Sequence, residues 1–141
     1  MKKIFVLFFS LLIVPSMGML SNNPDVSIIT NPGTDVSVLT KKDIRDIFTG
    51  VKKTWDSGGP IIIAVLEDSD VHKKFLKEYV NKTPFQFRNY WREKVFTGEG
   101  ENPKSFKTEE HLIDFVAGTR GAIGYISTPT NKPVKIVKIV Q

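Results

Sequence analysis

Residues Ile61–Val80, IIIAVLEDSDVHKKFLKEYV, carry the reading on which the fold turns. Ile61–Leu66 is an unbroken apolar run rich in β-branched residues, too short to span a bilayer and suited to a strand buried on both faces. Glu67-Asp68-Ser69-Asp70 interrupts it with residues that cap helices. Val71, Phe75 and Tyr79 then recur at a spacing of four, with Leu76 and Val80 beside them. His72, Lys73, Lys74, Lys77 and Glu78 are assigned to the opposite face, which makes the segment an amphipathic helix. Strand, tight turn and helix in succession place a helix N-terminus where a ligand can be held, although most such turns serve packing alone.

The chain has 141 residues, 40% of them hydrophobic and 25% charged, enough for one domain with a real core. It contains no cysteine, which excludes disulfides, thiolate metal sites, a cysteine nucleophile and a lipid-modified cysteine. Lys2 and Lys3, the apolar stretch Ile4–Val14, then Pro15 with Ser16 and Gly18, read as a secretory signal peptide over residues 1–18. An uncleaved anchor is the alternative, but Ile4–Leu20 is short for a ~30 Å hydrocarbon core and contains a proline. The expected product is residues 19–141, a periplasmic or secreted domain with no stable membrane span. Without Lys2 and Lys3, the 20 basic residues fall to 18 against 15 acids. That small excess does not point to nucleic acid.

Val26–Thr30 is a short β-prone run, followed by the turn cluster Asn31–Asp35. Leu39–Gly50 is the best-marked helix. Thr40 is its N-cap, and Asp43 three residues later completes a capping box. Leu39 and Ile44 form a hydrophobic staple, Ile44, Ile47 and Phe48 the buried stripe, and Gly50 the stop. Thr83, Pro84 and Gln86 open a further helix with Phe87, Tyr90, Trp91 and Val95 on one side. Thr108–Gly118 is another, with Leu112, Ile113, Phe115 and Val116 inward and Glu109 and Glu110 where the dipole favours acids. Gly121–Ser127 and Val134–Val140 read as strands. Alternating strands and helices indicate a single α/β domain.

His72 and His111 each fall in the first turn of a proposed helix and have no partner at metal-ligand spacing. Both are read as solvated surface residues, and neither as a general base. Glu67, Asp68 and Asp70 lack the spacing and the glycine of an EF-hand loop, so no metal or cofactor is expected. Helix capping accounts for part of that cluster; a metal or polar ligand is the other reading. Lys52-Lys53 and Arg88/Arg92/Lys94, with Trp55, Tyr90 and Trp91 as neighbours, read either as an anion or acidic-partner surface or as solvated faces over an aromatic stripe. Asn81-Lys82-Thr83 matches a glycosylation sequon and is read instead as a helix end followed by an N-cap. No nucleophile–base pair is visible, and no enzyme is expected.

Leu39–Trp55, LTKKDIRDIFTGVKKTW, resembles the phosphate-binding proteins of bacterial ABC transporters, which carry a similar Leu-Ser/Thr, Ile-Phe-x-Gly, Trp series ahead of a buried strand. Ser69 with Phe75 falls where that family writes Arg-x-x-x-Ser-Gly-Thr followed by Phe. Gly121–Tyr125, GAIGY, resembles another of its strands, and Tyr90-Trp91 with Val95–Gly98 resembles small single-lobe relatives. The resemblance implies an α/β fold, a single lobe of the type II periplasmic-binding kind, with a central mixed sheet flanked by helices. It also implies a small anion or other solute as ligand, and an envelope protein or ABC permease as partner.

In the alignment through Phe75, the phosphate-gripping arginine falls on Val65, the glycine on Asp70 and the threonine on Val71, with only Ser69 kept. Acids stand where a dianion would sit. Two unit charges at ~4 Å repel by about 4 kcal/mol at an effective dielectric of ~20, a large part of the ~8 kcal/mol of a micromolar affinity. The expectation is an exported, non-enzymatic, solute-binding-like protein that has lost the phosphate grip and acts through a protein partner or another small ligand. The candidate binding residues are Glu67, Asp68, Ser69 and Asp70. The alternative keeps phosphate or another oxyanion as a transport component, bound by Ser69, the helix N-terminus and Arg120 from a glycine-flanked loop, within one chain or across a dimer.

Overall fold

The computed structural model describes residues 25–141. The expected signal peptide, residues 1–18, lies outside them. The described residues form one sheet of six strands. They are β1 (Ser27–Thr30), β2 (Val38–Thr40), β3 (Ile62–Leu66), β4 (Lys104–Phe106), β5 (Ala122–Ile126) and β6 (Lys135–Val140). In space the order is β2-β6-β1-β5-β3-β4. β1 is antiparallel to both neighbours, with Ile28 opposite Tyr125 on one side and Val137 on the other. Every other pairing is parallel. The expected mixed sheet is therefore five strands in one direction and β1 against them.

The helices are α1 (Lys41–Phe48), α2 (Asp70–Phe75), α3 (Pro84–Phe96) and α4 (Glu109–Gly118). Their starts follow from side-chain acceptors that satisfy backbone N–H groups otherwise left without a partner. Thr40 and Asp43 form the expected reciprocal box at α1: the Asp43 N–H donates to Thr40 Oγ1 at 3.0 Å and the Thr40 N–H to Asp43 Oδ2 at 2.9 Å. That hydrogen bond from Thr40 holds the Asp43 carboxyl below its usual range. Thr83 and Gln86 repeat the device at α3, where Pro84 takes the position that needs no N–H donor. α2 runs on into a π-helical turn, Leu76–Val80, which ends at Asn81 in the left-handed region, φ 56°. The sequon asparagine is thus a helix terminus, as read.

Helices cover both faces of the sheet. On one side α1, α2 and the π-turn pack Phe48, Phe75 and Tyr79 against Tyr125, with the Phe75 and Tyr125 rings stacked 3.9 Å apart. Gly124, next along β5, points to the other side. A Cβ there would sit 2.8 Å from Leu112 Cδ2, so the missing side chain is what lets α4 lie directly on the sheet. Three readings are corrected. β2 and β4 were not anticipated, and both are only three residues long. Val95 is not part of the buried side of α3 but stands 38% exposed. His72 is not on a solvated face: it is 6% exposed.

Candidate functional site

A cleft of about 460 Å³ opens between α3 and the C-terminal half of β3. That volume is in the range of small-ligand sites, and the position, beyond the carboxyl end of a parallel strand, is where open α/β sheets bind ligands. Its floor is apolar: Val65 and Leu66 from β3, Phe87 and Trp91 from α3, Pro84 and Pro103. Its polar lining is Glu67 and Asp68 from the β3–α2 turn, His72 from α2, Arg88 from α3, and Asn102 and Ser105 beside β4.

The floor is fixed by backbone hydrogen bonds. The Trp91 indole N–H donates to the Phe48 carbonyl at 3.1 Å, and the Tyr90 hydroxyl to the Thr49 carbonyl at 2.6 Å. Both carbonyls belong to the C-terminal end of α1, where the helix itself offers no donors. Gly50 follows at φ 71°, and a Cβ on it would lie 2.8 Å from Trp91. The close of one helix thereby seats the aromatic surface of another.

His72 is the buried polar centre. Its ring stacks on Tyr125 and meets Phe87 edge-on. Tyr125 Oη accepts the Leu66 N–H at 3.0 Å and is hydrogen-bonded to His72 Nδ1. Burial pushes the Tyr125 phenol well above its ordinary range, so the hydroxyl keeps its proton. With the Leu66 N–H already occupying an acceptor lobe, the Tyr125 hydrogen satisfies itself by donating to Nδ1. The imidazole proton is then on Nε2. Burial lowers the His72 pKa to about 4; Asp68 opposes that shift and Arg88 adds to it. The ring is a neutral donor. Among the described residues Nε2–H has no protein partner, and the side chain lines the cleft.

The expected binding residues divide. Glu67 and Asp68 line the cleft, both exposed. The Ser69 hydroxyl is engaged within the fold, accepting the His72 N–H at 3.1 Å as the N-cap of α2. Asp70 is exposed in the first turn of α2 and is not in the lining. Arg120 is elsewhere, in a separate recess of about 470 Å³ with Asp35 and Trp55. In the β3–β5 ladder Ile62 stands opposite Ala122. Arg120 thus precedes one end of the sheet and Ser69 follows the other, apart by the length of β3, about 16 Å at ~3.3 Å per residue. Within one chain the two do not meet. Trp55 is buried, its indole N–H on the Gly121 carbonyl at 3.0 Å, and Lys52 pairs with Asp56. His111 is exposed, as expected.

Tyr125 and Asn102 carry no signal as site residues in the sequence, His72 is expected on a solvated face, and Arg88 is expected either on an anion or acidic-partner surface or on a solvated face. The signal for His72 was present: His72, Phe75, Leu76, Tyr79 and Val80 make an unbroken i, i+3, i+4, i+7, i+8 stripe with the histidine at its head. Among the described residues no group of three His, Cys, Asp or Glu could hold a metal ion. No helix among them is long and apolar enough to cross a membrane.

Comparison with solved structures places the fold. The chain is similar to a phosphate ABC transporter substrate-binding protein of Clostridium perfringens with bound phosphate, at 25% identity and a TM-score of 0.64, covering 81% of this chain and 44% of that one. An ABC-type phosphate transport receptor of Vibrio cholerae matches at 17% identity and 0.61, covering 81% and 45%. PstS of Borrelia burgdorferi matches at 16% and 0.63, covering 81% and 46%. The chain spans less than half the length of these neighbours. No protein-family model and no curated protein matches it.

Proposed function

We propose that this chain, with the fold of one lobe of a phosphate-type substrate-binding protein, is an exported, non-enzymatic solute-binding lobe whose phosphate grip has been replaced. The observation that carries the reading is the state of Ser69. The one residue retained from the family's gripping turn caps α2 by accepting the His72 N–H, stands outside the cleft lining, and has exposed Glu67, Asp68 and Asp70 around it. A phosphate dianion held at that turn would meet the Glu67 and Asp68 carboxylates, and the only arginine in the cleft lining, Arg88, comes from α3 rather than from the turn. The cleft beside that turn, with its aromatic floor and mixed polar lining, is the remaining surface on which the lobe can hold a small solute or a segment of an envelope partner.

A second reading keeps an oxyanion. Arg88 and the His72 Nε2–H line the same cleft, and together they could meet an anion away from the acidic turn, without Arg120. In that case the chain would serve as the binding component of an ABC transport system, delivering to a permease. Isothermal titration with inorganic phosphate decides between them. The first reading expects no micromolar binding and no change with Ser69→Ala. Micromolar binding abolished by Ser69→Ala would overturn it. Micromolar binding lost with Arg88→Gln but kept in Ser69→Ala would establish the second reading.

A further inference from the structure

The cleft separates its charges by wall. Arg88 projects from α3, whereas Glu67 and Asp68 stand on the β3–α2 turn. Among the described residues these three groups form no salt bridge, and Arg88 lies 5.8 Å from the centroid of the Phe85 ring. Between the walls lies the unpartnered Nε2–H of His72, on a ring that is itself 94% buried by its 6% exposure. An acceptor on a bound ligand would take the place of water at this cleft-facing N–H. Phe87 and Trp91 provide apolar surface below.

A simple anion would satisfy Arg88 and His72 but would leave the carboxylates repelled. A simple cation would reverse the mismatch. A ligand carrying both charged groups on one carbon, with an apolar tail, meets Arg88, His72, Glu67 and Asp68 together. We propose that the cleft binds a free α-amino acid with an apolar side chain. Its carboxylate lies toward Arg88 and the His72 Nε2–H, its ammonium toward Asp68 and Glu67, and its side chain on Phe87 and Trp91. The inference rests on the solute-binding reading above and names the class of solute.

The test is titration of the protein with L-leucine, followed by intrinsic tryptophan fluorescence and calorimetry. Two analogues run beside it: leucinamide, which lacks the carboxylate, and N-acetyl-leucine, which lacks the ammonium. L-leucine saturates the protein, and each analogue binds at least ~10-fold more weakly, as expected for loss of one charged hydrogen-bonding group. Arg88→Gln weakens L-leucine to the level of leucinamide and leaves leucinamide unchanged. Asp68→Asn weakens L-leucine but not N-acetyl-leucine. His72→Asn, whose Oδ1 replaces Nδ1 as acceptor for Tyr125, weakens the two carboxylate-bearing probes alone. Circular dichroism verifies that each variant is folded. The inference is overturned if L-leucine does not bind at millimolar concentration, if the analogues bind as well as L-leucine, or if Arg88→Gln leaves all three affinities unchanged. Inorganic phosphate, titrated in parallel, separates the two levels. Absence of both phosphate and leucine binding removes this inference alone, whereas Ser69-dependent phosphate binding removes the reading beneath it.

Discussion

At the scale of single residues, His72 is held neutral by its surroundings, and the fold depends on that. An ordinary histidine titrates near 6.5, whereas His72 titrates at about 4, chiefly through burial. The unfolded chain therefore binds a proton more readily than the folded one. The stabilisation is fully present above about pH 6.5 and is lost as pH falls through the interval down to about 4, a change on the order of 3 kcal/mol. Urea unfolding at a series of pH values should show this slope. His72→Asn should flatten it relative to the parent, while carboxylate titration below about pH 5 remains in both. A parent and variant of identical slope would show that His72 does not carry the effect. The same residue marks where sequence reading of the site stopped. Glu67 and Asp68 were found because acids beside a capping serine are visible in one dimension. The Tyr125 contact was not, because it joins positions 53 residues apart.

At the scale of elements, legibility followed local chemistry. α1, α3 and α4 announce themselves because their capping side chains lie three residues from the N–H groups they accept. β3 and β5 are legible as runs of apolar residues. β2 and β4 are not: three residues cannot display a period, and each is ordered by the strand it joins, β6 and β3 respectively. The π-turn at Leu76–Val80 was read as ordinary helix, since both conformations bury the same residues. The junction of α1 with α3 makes a sharper test. Gly50→Ala should cost about 1–2 kcal/mol from its left-handed backbone alone and should also displace the Trp91 ring, 2.8 Å from the added methyl. Denaturant unfolding reads the first effect and the tryptophan emission spectrum the second. A destabilised variant with unaltered emission would show that Gly50 does not seat the cleft floor.

At the scale of the whole molecule, the β2–β6 side of the sheet presents apolar side chains among the described residues. Val38, Ile136 and Val140 are exposed on neighbouring strands, Ile136 at 61%. The matched part of this chain covers 44–46% of the solved neighbours, which extend well beyond it.

The pairing of β1 with β6 has a topological consequence. Because Ile28 lies opposite Val137 on antiparallel strands, the chain enters the sheet beside the point at which it leaves. The described polypeptide is nearly a closed loop that happens to be cut there. A short glycine-serine bridge from Gln141 to Asp25 should close it, and new ends opened within the exposed turn Asp56–Gly59 should break no strand. Such a permutant should regain the parent's circular dichroism and unfold cooperatively; one that stays unfolded would mean that the order of synthesis, and not only the final neighbours, matters. A fold whose two ends meet can equally be spliced whole into a loop of another protein, entering and leaving through a single opening.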